Sequence, residues 1–149
     1  MRQTVDRHPE VRHAKESGRA KAAEGGSIPG RYFHALECTD PDERKRWLGE
    51  AAREGYVPAM CDYALECDDI DERRHLLREA AYEGYAPAMY HYALECDDPC
   101  LRIRWLKRAA EAGHGPAIYQ FGLECDDPVE QKRWRLQAVM DGYGPATNR

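Results

Sequence analysis

Serine and threonine are nearly missing from this chain. Two serines, Ser17 and Ser27, and three threonines, of which only Thr39 holds a regular position, are all the hydroxyl nucleophiles in its 149 residues. No S-x-x-K or G-x-S-x-G pattern surrounds them, which excludes the common serine-nucleophile constellations. The six histidines are scattered: His34 stands where a later segment has Tyr63 and reads as core, His75 lies among charges, and His114 replaces a turn tyrosine. No nucleophile, base and orienting group can be assembled, so no catalytic residues are assigned and an enzyme is not expected. Long apolar runs are missing as well. No stretch reaches the about 18 apolar residues of a membrane span, and Met1 to His8 opens on polar sequence without an apolar leader core, which predicts a soluble, unexported, cytoplasmic protein. Positive charge is not in excess either: 27 acidic residues against 22 basic ones leave a net charge of −5, which disfavours nucleic acid and anionic membranes as partners.

What the chain has in quantity is repetition. Leu36-Glu37-Cys38, Leu65-Glu66-Cys67, Leu94-Glu95-Cys96 and Leu123-Glu124-Cys125 recur at an unbroken interval of 29 residues, and their neighbours recur with them. A fixed period of this size signals a solenoid, whose units stack because none can bury its apolar face alone. The same period explains most of the cysteine content. Equivalent thiols on stacked helices stand roughly 9–11 Å apart, since packed helix axes lie about 8–10 Å apart, whereas a disulfide needs Cα atoms within about 7 Å. Free, packed thiols in a reducing compartment follow. One cysteine per repeat also offers no C-x2-C pairing, so no metal or cofactor is expected. Cys96 and Cys100, which flank one turn, are the candidates for a local bridge on oxidation.

Each repeat reads as two helices. Pro58, Pro87 and Pro116 suit the first position of a short helix A, because proline has no backbone donor to leave unpaired there. Helix B starts at a capping signature: Asp40-Pro41-Asp42-Glu43, Asp69-Ile70-Asp71-Glu72 and Asp127-Pro128-Val129-Glu130 place aspartate at the N-cap and glutamate three residues on. The third copy, Asp98-Pro99-Cys100-Leu101, lacks the glutamate, so a weaker start is expected there. Gly55, Gly84, Gly113 and Gly142 then end helix B. Within it, Trp47-Leu48 with Ala51-Ala52, and their equivalents, make an apolar face whose alanines permit close approach. The resulting division is an N-terminal tail and degenerate capping helix over 1–28, four repeats at 29–57, 58–86, 87–115 and 116–144, and a tail at 145–149. The degenerate helix is placed from about Pro9 to Gly25, on the phase of Ala22-Ala23 and Gly26. After Gly142, Tyr143-Gly144-Pro145-Ala146 opens a fifth helix A.

Ala59, Tyr63-Ala64 and Cys67 in helix A, with Trp47-Leu48, Ala51-Ala52 and Gly55 in helix B, resemble the Sel-one-like repeat, a branch of the tetratricopeptide superfamily. The match weakens at Trp134, where Arg135 and Val139 replace leucine and alanine. The loop between helices is also cut to Cys-Asp-Asp, and helix A closes on cysteine instead of an aromatic residue. The resemblance imports no disulfides, because only one cysteine per repeat is regular. It implies an all-α, right-handed α/α superhelical solenoid of about four helical hairpins plus the capping helix, used as an adaptor or scaffold for another protein or peptide.

In related superhelices the concave wall is built by helix A residues that turn away from helix B. By phase these are Tyr32, Cys61, Tyr90 and Tyr119, with Leu36, Leu65, Leu94 and Leu123 one turn on and Asp62, His91 and Gln120 beside them. Tyrosine offers large amphipathic area at small entropic cost, so this row reads as a groove for a peptide or helix. For the leucines, plain packing between repeats is the other reading. The paired acids Asp68-Asp69, Asp97-Asp98 and Asp126-Asp127 read as caps and as ion-pair partners of Arg44-Lys45-Arg46, Arg73-Arg74, Arg102 with Arg104, and Lys132-Arg133. An uncapped C-terminal end gives the alternative, a homodimer or larger self-assembly. A thiol-based sensor or hydrolase is the third reading.

Overall fold

A computed structural model describes residues 27–143, and their regular structure is entirely helical. Eight helices follow one another: α1 (Ile28–Glu37), α2 (Pro41–Arg53), α3 (Val57–Leu65), α4 (Ile70–Tyr82), α5 (Ala86–Glu95), α6 (Pro99–Glu111), α7 (Gly115–Glu124) and α8 (Pro128–Met140). The capping helix expected before residue 27, the tail at 145–149 and the fifth helix A beyond Tyr143 lie outside the described residues. No described helix is long and apolar enough to cross a membrane.

The even-numbered helices start as their sequence dictates. Asp40, Asp69, Asp98 and Asp127 stand in extended backbone, and each carboxylate accepts from the N–H two residues on, at 2.9–3.1 Å. Asp69 also takes the Glu72 N–H at 3.4 Å. The weaker start expected for the third copy is not observed: α6 begins at Pro99 and runs the same 13 residues as its siblings. The aspartate reaches the second N–H of the helix, so the missing glutamate is not needed. The odd-numbered helices differ from expectation by one residue. Val57, Ala86 and Gly115 precede the prolines, which therefore occupy the second helical position. That position is equally tolerant, because the first four N–H groups all lack an intrahelical acceptor.

The even helices end alike. Gly55, Gly84, Gly113 and Gly142 take φ of +86°, +92°, +90° and +87°, a region that costs other residues energy. At the first of them Gly55 N–H donates to Ala52 O at 2.9 Å and Tyr56 N–H to Ala51 O at 3.1 Å, and the later copies repeat both bonds. This is a Schellman ending. Its last residue, Tyr56, Tyr85 or His114, is already the N-cap of the next helix. The exit direction of one helix thereby sets the entry of the following one.

The chain divides into two compact units that meet at Cys67 and Asp68. This seam falls inside the 58–86 repeat, between its two helices. In the first unit α1 packs on α2 and α2 on α3; in the second, α4 through α8 each pack on the next. Leu48, Leu77 and Leu106 are buried at 0–1% exposure, each worth about 1.5–3 kcal/mol of transfer free energy. Ala51, Ala80, Ala109 and Ala138 beside them are equally buried, the small residues that let axes approach. The last repeat varies this theme: Gly122 replaces alanine, and a Cβ there would lie 3.1 Å from the Arg135 backbone nitrogen. Arg135, in the place of leucine, turns its Nε–H to Gly122 O at 3.2 Å.

Candidate interaction surface

On the odd helices the outward row is apolar. Leu36, Leu65, Leu94 and Leu123 are 50%, 46%, 39% and 40% exposed, so packing leaves close to half of each side chain open to solvent. One turn earlier the aromatic side chains are half-buried and held in place. In the first unit Tyr32 O–H donates to Asp62 Oδ2 at 2.9 Å, and its ring lies 5.1 Å from Tyr56. In the second unit the Tyr90 ring meets His91 and His114, each at 5.2 Å. Burial, and then the neighbouring His91, lowers the His114 pKa from its ordinary value. Tyr119 and Gln120 are half-buried, and the Gln120 amide donates to Glu124.

Cys61 is a correction to the expected row. It is buried at 1% exposure and offers no surface to a partner. A thiomethyl group is too short to rise from the helix as tyrosine does at this position, and it stays within the core.

A ladder of ion pairs flanks the surface. Arg44 Nε reaches Glu66 at 2.9 Å in the first unit, and Arg73 Nε reaches Glu95 at 3.1 Å in the second. Arg102 holds Glu124 with two bonds of 2.6 and 2.7 Å, a bidentate grip. That grip lowers the Glu124 pKa from its ordinary value and raises that of Arg102. Glutamate of the Leu-Glu-Cys phrase, on the following odd helix, is thus the main partner of the first-turn arginines. The paired aspartates were expected in that role, and Arg74 approaches one of them, Asp97, at 3.9 Å. The second aspartate of each pair is occupied as a cap and both stay exposed, while the glutamates sit beside the preceding even helix.

No family sequence profile matches this chain, and no curated protein matches it by sequence. Its helices do superpose on solved structures. A Sel1 repeat protein from Oxalobacter formigenes aligns with a TM-score of 0.75 at 19% identity, over 85% of this chain and 63% of that one. The fold is that of the Sel1, or Sel-one-like, repeat. A protective antigen of uropathogenic Escherichia coli strains, described as displaying an SLR fold, aligns with a TM-score of 0.67 at 16% identity, over 85% of this chain and 36% of that one. The chain therefore spans less than two thirds of either protein. The all-α solenoid expected from the 29-residue period is the observed architecture.

No disulfide joins the six cysteines of this Sel1 fold, Cys96 and Cys100 included. Burial, and then the Asp62 charge, pushes the Cys61 thiol up to about 12. Burial likewise raises Cys96. Thiols kept protonated are poor nucleophiles, so Cys61 and Cys96 are poorly suited to sensor or hydrolase chemistry. Away from the leucine row, His34, Cys38 and Glu43 bring one imidazole nitrogen, one sulfur and one carboxylate oxygen within 4.8 Å of one another. The repeat spacing of the cysteines hides this group, because its donors come from three residue types within one repeat. A histidine four residues before a cysteine, where the siblings carry Tyr63, Tyr92 and Phe121, was the available signal.

Proposed function

We propose that this chain is a non-catalytic, cytoplasmic protein-interaction module that takes a peptide or helix of another protein along its odd-helix face. The exposed leucine row carries the reading. A leucine kept for architecture alone is buried, as Leu48, Leu77 and Leu106 are, whereas Leu36 and Leu65 in the first unit and Leu94 and Leu123 in the second are left 39–50% exposed, and exposed apolar side chains at equivalent positions suit a binding surface. Half-buried tyrosines one turn away add rigid contact area of the type that dominates binding hot spots. The pinning of Tyr32 and Tyr90 by their neighbours lowers the entropy lost on contact. The cysteine spacing, with one regular thiol per repeat and no pairing pattern, supports the cytoplasmic assignment.

The test uses the second unit. Leu94→Ser combined with Leu123→Ser and Tyr119→Ala should weaken capture of the partner from the native cell by at least about tenfold, since each lost anchor costs above 1 kcal/mol. Melting should shift little, because exposed positions change stability by about 0.5 kcal/mol or less. Undiminished capture with an intact fold would remove the leucine row as the binding face.

A second reading has its own observation. On α8, Leu136, Val139 and Met140 are 59%, 40% and 73% exposed, with Tyr143 beyond them at 43%. This apolar end suits self-association of two copies.

A further inference from the structure

We propose that His34, Cys38 and Glu43 form a binding site for one zinc-type divalent cation, with three protein ligands and a fourth position left for water. Imidazole, thiolate and carboxylate are the donor set such ions take, and three protein ligands leave a tetrahedral site open. All three donor atoms lie within 4.8 Å of one another. Bonds of about 2.0–2.3 Å at tetrahedral angles would bring them to roughly 3.3–3.8 Å, so closure needs a movement of about 1 Å. Glu43 can contribute to it, for its side chain is 46% exposed and pairs only loosely with Arg46, at 3.9 Å. A pair of that kind contributes little and is readily exchanged.

The imidazole is the part that does not need to move. His34 is only 9% exposed, and its ring is fixed edge-on against Trp47 at 5.1 Å. Its Nδ1 is sealed from solvent and has no hydrogen-bond partner among the described residues. A buried nitrogen without a partner is uncommon in folded proteins and calls for an explanation. Cys38 is the C-cap of α1 and Glu43 lies in the first turn of α2, so the ion would clasp the end of one helix to the start of the next. Thiolate and carboxylate together would neutralise the ion's two charges, which suits a half-buried setting.

Comparison with the sibling repeats isolates what is new. In the fourth repeat Cys125 Sγ lies 4.0 Å from Glu130 Oε2 and 3.5 Å from Asp127 O, so that copy also sets a thiol beside a carboxylate. Phe121 completes that copy and adds no ligand. Only in the first repeat does an imidazole stand at this position, and His34, Cys38 and Glu43 are the one group of this kind among the described residues.

Cobalt(II), added to the full chain with its thiols reduced, is the probe. One equivalent should produce thiolate-to-metal charge transfer with tetrahedral d–d bands and release the Cys38 proton, and zinc should displace the cobalt and abolish the bands. His34→Phe copies the fourth repeat and so should fold with unchanged helicity. It should weaken cobalt binding by more than the roughly 10–100-fold that loss of an outer-shell partner costs. Cys38→Ser should abolish the charge-transfer band, and Cys100→Ser, which alters an exposed thiol, should leave it intact. Absence of the band in the unaltered chain, its survival in His34→Phe, or its loss in Cys100→Ser with retention in Cys38→Ser would each overturn the site.

Discussion

At position 61 and its equivalents, register places Cys61, Tyr90 and Tyr119 together, yet only the tyrosines reach the surface. The sulfur is 1% exposed because side-chain length, and not helical phase, decides whether a group emerges from between packed helices. His114 shows the same dependence on surroundings. It occupies the turn site that holds Tyr56 and Tyr85 elsewhere, and burial followed by the neighbouring His91 lowers its pKa from 6.5. The unfolded chain therefore binds a proton that the folded chain resists. Stability from this source is full above the unfolded value of 6.5 and declines as pH falls through the folded value. His114→Tyr, which restores the residue of the siblings, should lose less melting temperature than the unaltered chain between pH 7.5 and about 5. Equal acid sensitivity in both would show that His114 does not contribute.

At the scale of the element, each even helix is bounded by an aspartate at its start and a left-handed glycine at its end. Around Gly84 nothing lies within 4 Å of an added Cβ, so space is not what requires glycine there. Its φ of +92° is. Gly84→Ala should accordingly destabilise the chain by about 1–2 kcal/mol through backbone strain alone, measurable as a lowered denaturant midpoint at unchanged slope. A neutral outcome would mean the turn relaxes into another conformation. The ion-pair ladder acts between elements: Arg73 with Glu95, and Arg102 with Glu124, join an even helix to the odd helix that follows it. Their side chains are 25–28% exposed, so solvent screens them and each contributes modestly. Their fixed geometry serves register more than strength.

For the whole molecule, the apolar outer face of α8 sets the expectation for assembly. If two copies join there, sedimentation at micromolar concentration should show a dimer, and Leu136→Lys with Met140→Lys should return it to monomer without loss of helicity. A strict monomer before substitution ends that reading. Much of the architecture was legible beforehand. The Leu-Glu-Cys period, the aspartate caps and the terminal glycines fixed eight helix positions to within a residue or so among the described residues, because each signal acts within one or two turns of backbone. Surface assignment was less legible. Periodicity placed Leu65, Leu94 and Leu123 on one row but left their exposure open, and it placed Cys61 on the same wall as Tyr90 although their burial differs.

Sequence by itself determined the hairpin unit, its length and its recurrence, since capping, proline and positive-φ glycine are local preferences that neighbours along the chain satisfy. Tertiary structure alone decided which glutamate each arginine grips, which side chains at a shared register emerge, and that His34, Cys38 and Glu43 converge. Those outcomes depend on distances across helix contacts, which side-chain size and axis separation set and which no spacing along one chain records.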